Sequence, residues 1–153
     1  MRIPILAALT AASLAAAVPA QARSQWTVVT GEGTAALVFG KPETANAFRM
    51  DCSTSGTSLS TWTRRLPRNV TEGEFPTRLS VFQGNREIVI GSTGRVLPSG
   101  GTRIDGLLDN APAFLDGISR SSRFVVVSFA GRATAPAPAA DTLLQFRNAC
   151  PKG

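Results

Sequence analysis

The sequence predicts a mainly β fold: an antiparallel β-sandwich or barrel-like domain, with a short helix before the last strand and a helix at the C-terminus. Three observations carry this expectation. Short β-prone runs are separated by Gly, Pro, Asn and Ser turn signals at intervals of roughly eight to twelve residues. Apolar residues recur at helical spacing near residues 111–120 and again over residues 142–149. Two cysteines are present, Cys52 and Cys150, one well before and one well after the central part of the chain.

Met1-Arg2 is a short positive segment, followed by an Ala- and Leu-rich run over residues 3–18 and the small-x-small triplet Ala20-Gln21-Ala22. In that order they form a secretory signal with cleavage after Ala22, leaving one domain over residues 23–153. The apolar run is shorter than the roughly 20 residues that span a bilayer. No later run is longer, so no membrane span is expected after cleavage. The expected location is the periplasm or the exterior. Net charge is +6, one unit of it from Arg2, and nearly all the basic residues are scattered arginines. A nucleic-acid reader would show a basic stripe with interleaved aromatics. Trp62 followed by Arg64, Arg65 and Arg68 comes nearest, and export disfavours nucleic acid. The expected partner is therefore an envelope protein with an acidic face or an anionic envelope polymer. Net charge as such speaks to solubility and non-specific binding rather than to fold.

Trp26-Thr-Val-Val-Thr30, the turn Gly31-Glu32-Gly33 and residues 34–39 read as a first hairpin. No third glycine or helix follows this Gly-x-Gly, so it is a turn and not a nucleotide fingerprint. Lys41-Pro42-Glu43 breaks the second strand. Residues 47–52 resume with Phe48, Met50 and Cys52 on one face and Arg49 and Asp51 on the other. Residues 53–58 form a polar turn, and 59–62 are again extended. Residues 64–76, with Pro67, Gly73 and Pro76, read as the longest surface loop, the kind of segment in which function concentrates. Residues 78–82 and 86–90 flank Gln83-Gly84-Asn85 as a hairpin. Residues 94–97 and 102–107, around Pro98-Ser-Gly-Gly101, read as another.

Asp109 or Asn110 can cap a helix with Pro112 in its first turn and Ala111, Phe114, Leu115 and Ile118 on one face. Gly117 weakens it, so it should end near Arg120. Residues 123–129 are apolar on both faces, the mark of a strand covered on both sides. Residues 131–140, with Pro136 and Pro138 among alanines, read as a stiff connector. Asp141 can cap a last helix over residues 142–149, whose Leu143, Phe146 and Cys150 share a face.

Two cysteines in an exported chain most simply form one bond, Cys52–Cys150. It closes a loop of about 100 residues, for which chain entropy gives an upper figure of ~4.7 kcal/mol. Histidine and tyrosine are absent, which removes Ser-His-Asp triads, Cys-His dyads and histidine metal sites. No cofactor is expected. Carboxylate chemistry remains open in principle, through Asp105, Asp109 and Asp116. Such a glycan hydrolase needs two acids facing across a cleft, and loop and cap roles account for these three. The function expected is a non-catalytic binding module. The candidate binding residues are Trp62, Arg64, Arg65 and Arg68, or else a strand edge. The alternatives are a carboxylate-dependent envelope hydrolase and an inhibitor of a lytic enzyme.

The early Trp26, the strand Phe48-Arg-Met-Asp-Cys52, the helix before a strand ending at Gly131, and the ending Leu143…Phe146…Cys150 together form a pattern. It resembles small periplasmic β-proteins of the invasion-associated locus B family and similar type VI secretion-associated proteins. The likeness covers mainly residues 47–52 and 111–150. It implies that a strand–glycine–helix–cysteine tail closes a β-sandwich. The chain departs from that pattern between Gly131 and Asp141, and no catalytic residue carries across.

Overall fold

Tight turns set the neighbours of most strands, and the computed structural model, described here over residues 25–151, shows the sheet they build. The segment expected to be a signal, residues 1–22, lies outside the described residues. Nine strands are present: β1 (Trp26–Gly31), β2 (Thr34–Phe39), β3 (Phe48–Ser53), β4 (Gly56–Thr63), β5 (Glu74–Gln83), β6 (Arg86–Val96), β7 (Thr102–Leu107), β8 (Arg123–Ser128) and β9 (Gly131–Pro136). Helix α1 (Ala111–Ser119) lies between β7 and β8, and α2 (Ala140–Ala149) follows β9. The strands form one sheet in the order β1-β2-β3-β4-β7-β6-β5-β8-β9, with every described pairing antiparallel.

Of the two architectures expected, the barrel-like one is found: one curled sheet rather than two stacked ones. The curl brings edge strand β1 to edge strand β9, where Trp26 Nε1 donates to the Pro136 carbonyl at 2.7 Å. Inside the curl, Trp26, Phe39, Phe48 and Phe124 pack ring against ring. Phe48 and Phe124 meet edge to face at 5.0 Å, and Trp26 and Phe124 at 5.4 Å. Strict alternation builds this interior: β3 and β7 bury every second residue, including Phe48, Met50, Cys52, Thr102 and Ile104.

Both helices pack their apolar faces onto this core. Asn110 caps α1 by accepting from the Ala113 N–H at 3.1 Å, while Phe114, Leu115 and Ile118 are buried. Gly117 weakens the helix and also leaves room for the Gln83 side-chain amide. A Cβ there would lie 1.8 Å from Gln83 Oε1, and the same Gln83 amide donates to the Phe114 carbonyl at 2.7 Å. Helix α2 lies against β1 and β2, burying Leu143 and Phe146. Arg147 on α2 reaches Asp116 on α1 at 2.6 Å. The Cys52–Cys150 disulfide is formed, joining the end of β3 to the end of α2 across 98 residues of sequence.

Several element boundaries differ from expectation. Residues 131–136 of the Pro/Ala connector form β9, so α1 precedes the last two strands. Proline is tolerated because Pro136 ends an edge strand. The 64–76 loop stops at residue 73, and Pro76 lies within β5. Residues 86–90 and 94–96 belong to one eleven-residue strand, β6, and Leu97 begins the loop after it. Strand β8 is covered well on one face only: Phe124 and Val126 are buried, whereas Val125 and Val127 are half-buried under the outer surface. Helix α2 starts earlier than expected. Asp141 lies inside its first turn, accepting from the Thr142 N–H, and Ala139 at the cap position offers no side-chain bond.

Candidate binding site

The alternation that buries Leu59 and Thr61 of β4 turns Ser58, Ser60 and Trp62 to the outer face. Register supplies their neighbours. Arg49 and Asp105 lie opposite Ser60 from the two sides, Asp51 lies opposite Ser58, and Arg103 opposite Trp62. The result is a polar platform across β3, β4 and β7.

Each arginine is held by the aspartate two residues on along the same strand and face. Arg49 Nε donates to both Asp51 oxygens at 2.8 Å, and Arg103 Nε donates to Asp105 Oδ1 at 2.8 Å. Ser60, fully buried, ties the strands together by donating to Asp105 Oδ1 at 2.5 Å and accepting from Arg103 Nη2 at 3.3 Å. The Asp51 hydrogen bond raises the Arg49 guanidinium above its ordinary value. Partial burial opposes it, and the Asp51 charge adds to it. Arg49 therefore stays charged at any physiological pH. The Arg103 guanidinium stands 5.6 Å above the Trp62 ring, a cation–π contact.

This platform is the floor of an open groove of about 540 Å³. Pro42 and Glu43 of the β2–β3 loop form one wall and Leu97 of the β6–β7 loop the other, with Arg49, Trp62 and Arg103 below. Trp62 is only 6% exposed, so it anchors the groove and presents little free ring. The basic loop adjoins the Leu97 wall. Thr102 Oγ1 donates to the Arg65 carbonyl at 2.9 Å, and the Leu97 N–H donates to the Gly101 carbonyl at 3.0 Å. Arg64, Arg65 and Arg68 are exposed, and none has an ion-pair partner among the described residues.

The turn that positions this loop depends on Gly101, at φ +86°. A Cβ there would meet the Thr63 carbonyl oxygen at 2.4 Å and the Arg64 Cα at 3.1 Å, both backbone atoms that cannot rotate aside. Gly101→Ala is expected to cost about 1–3 kcal/mol. It should also shift the Arg64 and Arg65 amide resonances, measured by urea unfolding and by amide NMR spectra.

The structure thus brings Trp62 and the loop arginines to one region, and adds Arg49 and Arg103, which sequence reasoning missed. Their signal was present as two Arg-x-Asp triplets, Arg49-Met-Asp51 and Arg103-Ile-Asp105, each on a strand whose outer face they occupy. The three aspartates considered for catalysis are dispersed. Asp105 is engaged by Arg103 and Ser60, Asp116 by Arg147 on the other helix, and Asp109 is exposed in the turn before α1. Among the described residues no cluster of three or more His, Cys, Asp or Glu side chains could hold a metal ion. Comparison with protein families, with curated proteins and with solved structures finds no match in any of the three.

Proposed function

We propose that this protein is an exported, non-catalytic binding module. In this reading it holds an acidic partner, an envelope protein or an anionic envelope polymer, against the groove of Arg49, Trp62 and Arg103 and the adjoining loop of Arg64, Arg65 and Arg68. One observation carries the reading. Three exposed guanidinium groups without ion-pair partners among the described residues stand on a loop hydrogen-bonded to Thr102, whose neighbour Gly101 accepts from Leu97 in the groove's wall. The two platform arginines are partly neutralised by their aspartates, which fixes their geometry. The loop arginines keep their full charge for a ligand, and guanidinium is suited to paired hydrogen bonds with carboxylate or phosphate.

Export is supported by the signal-like residues 1–22 and by the disulfide, a bond characteristic of oxidising compartments. No helix among the described residues is long and apolar enough to cross a membrane. The resemblance of the tail to invasion-associated locus B proteins favours the same setting. A binding rather than catalytic role is supported by the engagement of Asp105 and Asp116 in ion pairs.

The triple variant Arg64/Arg65/Arg68→Ala is expected to fold with stability within about 0.5 kcal/mol of wild type, since the three side chains are exposed. Its affinity for the partner recovered by a crosslinking pull-down from envelope extract should fall at least about tenfold, near 1.4 kcal/mol. Raising salt should weaken the wild-type interaction through screening. Equal capture of the same partner by variant and wild type would overturn the reading.

A further inference from the structure

The registers of two hairpins together determine where the backbone groups of β5 point. Gly84-Asn85 is a two-residue turn with Gly84 at φ 62°, so Gln83 and Arg86 form the hydrogen-bonded pair that closes it. Alternation then turns the N–H and C=O groups of Val81, Leu79, Thr77 and Phe75 toward β6. Those of Phe82, Ser80, Arg78, Pro76 and Glu74 point the other way. The β8–β9 hairpin agrees. Ser128 pairs with Gly131 across a two-residue turn, which directs Val127 and Val125 toward β5, opposite Ser80 and Phe82.

Strand β8 pairs with β5 only at residues 80–82 and then turns away into β9. The ten-residue β5 runs on past it. Residues 74–78 are left with a bare edge about 17 Å long, at the usual rise of a strand. Pro76 sits with its missing N–H on this bare side, where no ladder bond is lost. Against the edge lies an open cleft of about 540 Å³ whose lining includes Pro76, Arg78, Val127, Ser128 and Phe129. Phe129 is 39% exposed and rests edge-on against Phe75 at 5.8 Å.

Charge around the cleft is positive. Arg78 is exposed and has no ion-pair partner among the described residues. Arg132 places its guanidinium over the Phe82 ring at 5.9 Å, on the same outer face. Glu74 is neutralised by Arg95, and Glu72 stands before the strand begins.

We infer that this cleft is a strand-addition site for an extended, acidic peptide segment of a partner protein. The segment lies antiparallel to β5, along the line that β8 leaves. Arg78 offers its N–H and C=O as rungs, and Pro76 its C=O. Phe129 receives an apolar side chain, and Arg78 and Arg132 select acidic side chains on the outer face. A second copy of the chain is a poor occupant, because pairing two β5 edges antiparallel sets like charges and two proline gaps against each other. The cleft on β5 and β8 is separate from the groove on β3, β4 and β7, and the inference does not depend on that groove.

The test is a titration of isotope-labelled protein with the capped hexapeptide Thr-Val-Asp-Val-Glu-Val. Binding at about 1 mM or tighter is expected. Resonance shifts should centre on residues 74–78 and Phe129, with slowed exchange of the Arg78 N–H. Arg78→Pro removes that donor on the side β6 does not use, and should weaken binding at least about tenfold with the melting temperature kept. A second arm needs no variant: of the two peptides N-methylated at alternate residues, both keep their charge, but the one methylated on the edge that faces β5 loses the ladder and should not bind, while the other should bind. Three results would overturn the inference: no shifts up to that concentration, shifts confined to Arg49, Trp62 and Arg103, or equal binding of the two alternate-methylated peptides.

Discussion

The double variant Cys52→Ala/Cys150→Ala is expected to lose about 3–4 kcal/mol of unfolding free energy, or roughly 10 °C in melting temperature. The bond spans 98 residues of sequence, so the reduced unfolded chain gains the freedom of a loop that includes six strands, β4 to β9, and both helices. Chain entropy sets the upper figure near ~4.7 kcal/mol, and residual structure in the unfolded chain lowers it. Alanine is preferred to serine because Cys52 is 3% exposed, and a hydroxyl there would be buried without a known partner. Leu143 and Phe146 still hold α2 against β1 and β2 in the variant. The fold should therefore survive in weakened form, with α2 amides exchanging first. Urea unfolding with and without reductant checks this: reductant should lower the wild-type midpoint and leave the variant's unchanged.

Phe48→Ala is expected to cost about 3–5 kcal/mol. Phe48 is fully buried on β3 and touches the rings of Trp26, Phe39 and Phe124, from β1, β2 and β8. Because Phe124 belongs to a strand at the far side of the sheet order, the contact is a strut across the curl rather than a neighbour contact. Its removal leaves a cavity and withdraws support from the Trp26–Pro136 hydrogen bond that joins the two edges. Chemical denaturation gives the magnitude. Faster exchange in β8 and β9, compared with β6 and β7, would identify the loss of closure as its cause.

Much of this fold was legible because turns and alternation are local. Gly84-Asn85, the Pro98 to Gly101 segment and the inward Phe48, Met50 and Cys52 each state their structure within a few residues. Strand β9 was not legible. Arg-Ala-Thr-Ala-Pro has weak strand preference, and it is extended because β8 presents an edge one turn away. The neighbouring of β4 and β7 was hidden for a related reason, since non-local pairing is decided by shared burial of Leu59, Ile104 and Gly106 rather than by any turn. The apolar outer residues of β8 misled in the opposite direction. Val125 and Val127 lie beside Phe82, Ser80 and Arg132 on a surface only partly covered, so composition overstated their burial.

The candidate site divides along the same line. Arg64, Arg65 and Arg68 were visible as a cluster because they are adjacent in sequence. Arg49 and Arg103 are distant in sequence and become neighbours only through β4, where Ser60 faces Arg49 on one side and Asp105 on the other. Two kinds of arginine then stand at one surface: those on the strands, oriented by their aspartates, and those on the loop, exposed to solvent. The rigid set fixes a shape and the loop set supplies charge, a division suited to holding an acidic surface in one orientation.

The most direct measurement is a photo-crosslinking residue at Leu66, which is 45% exposed between Arg65 and Arg68, with the same group at Leu144 on α2, 58% exposed, as reference. One acidic adduct in envelope extract is expected from the Leu66 position, lost in high salt and lost when Arg64, Arg65 and Arg68 are alanine. The same adduct from both positions, or an adduct at Leu66 indifferent to the three arginines, would contradict this expectation.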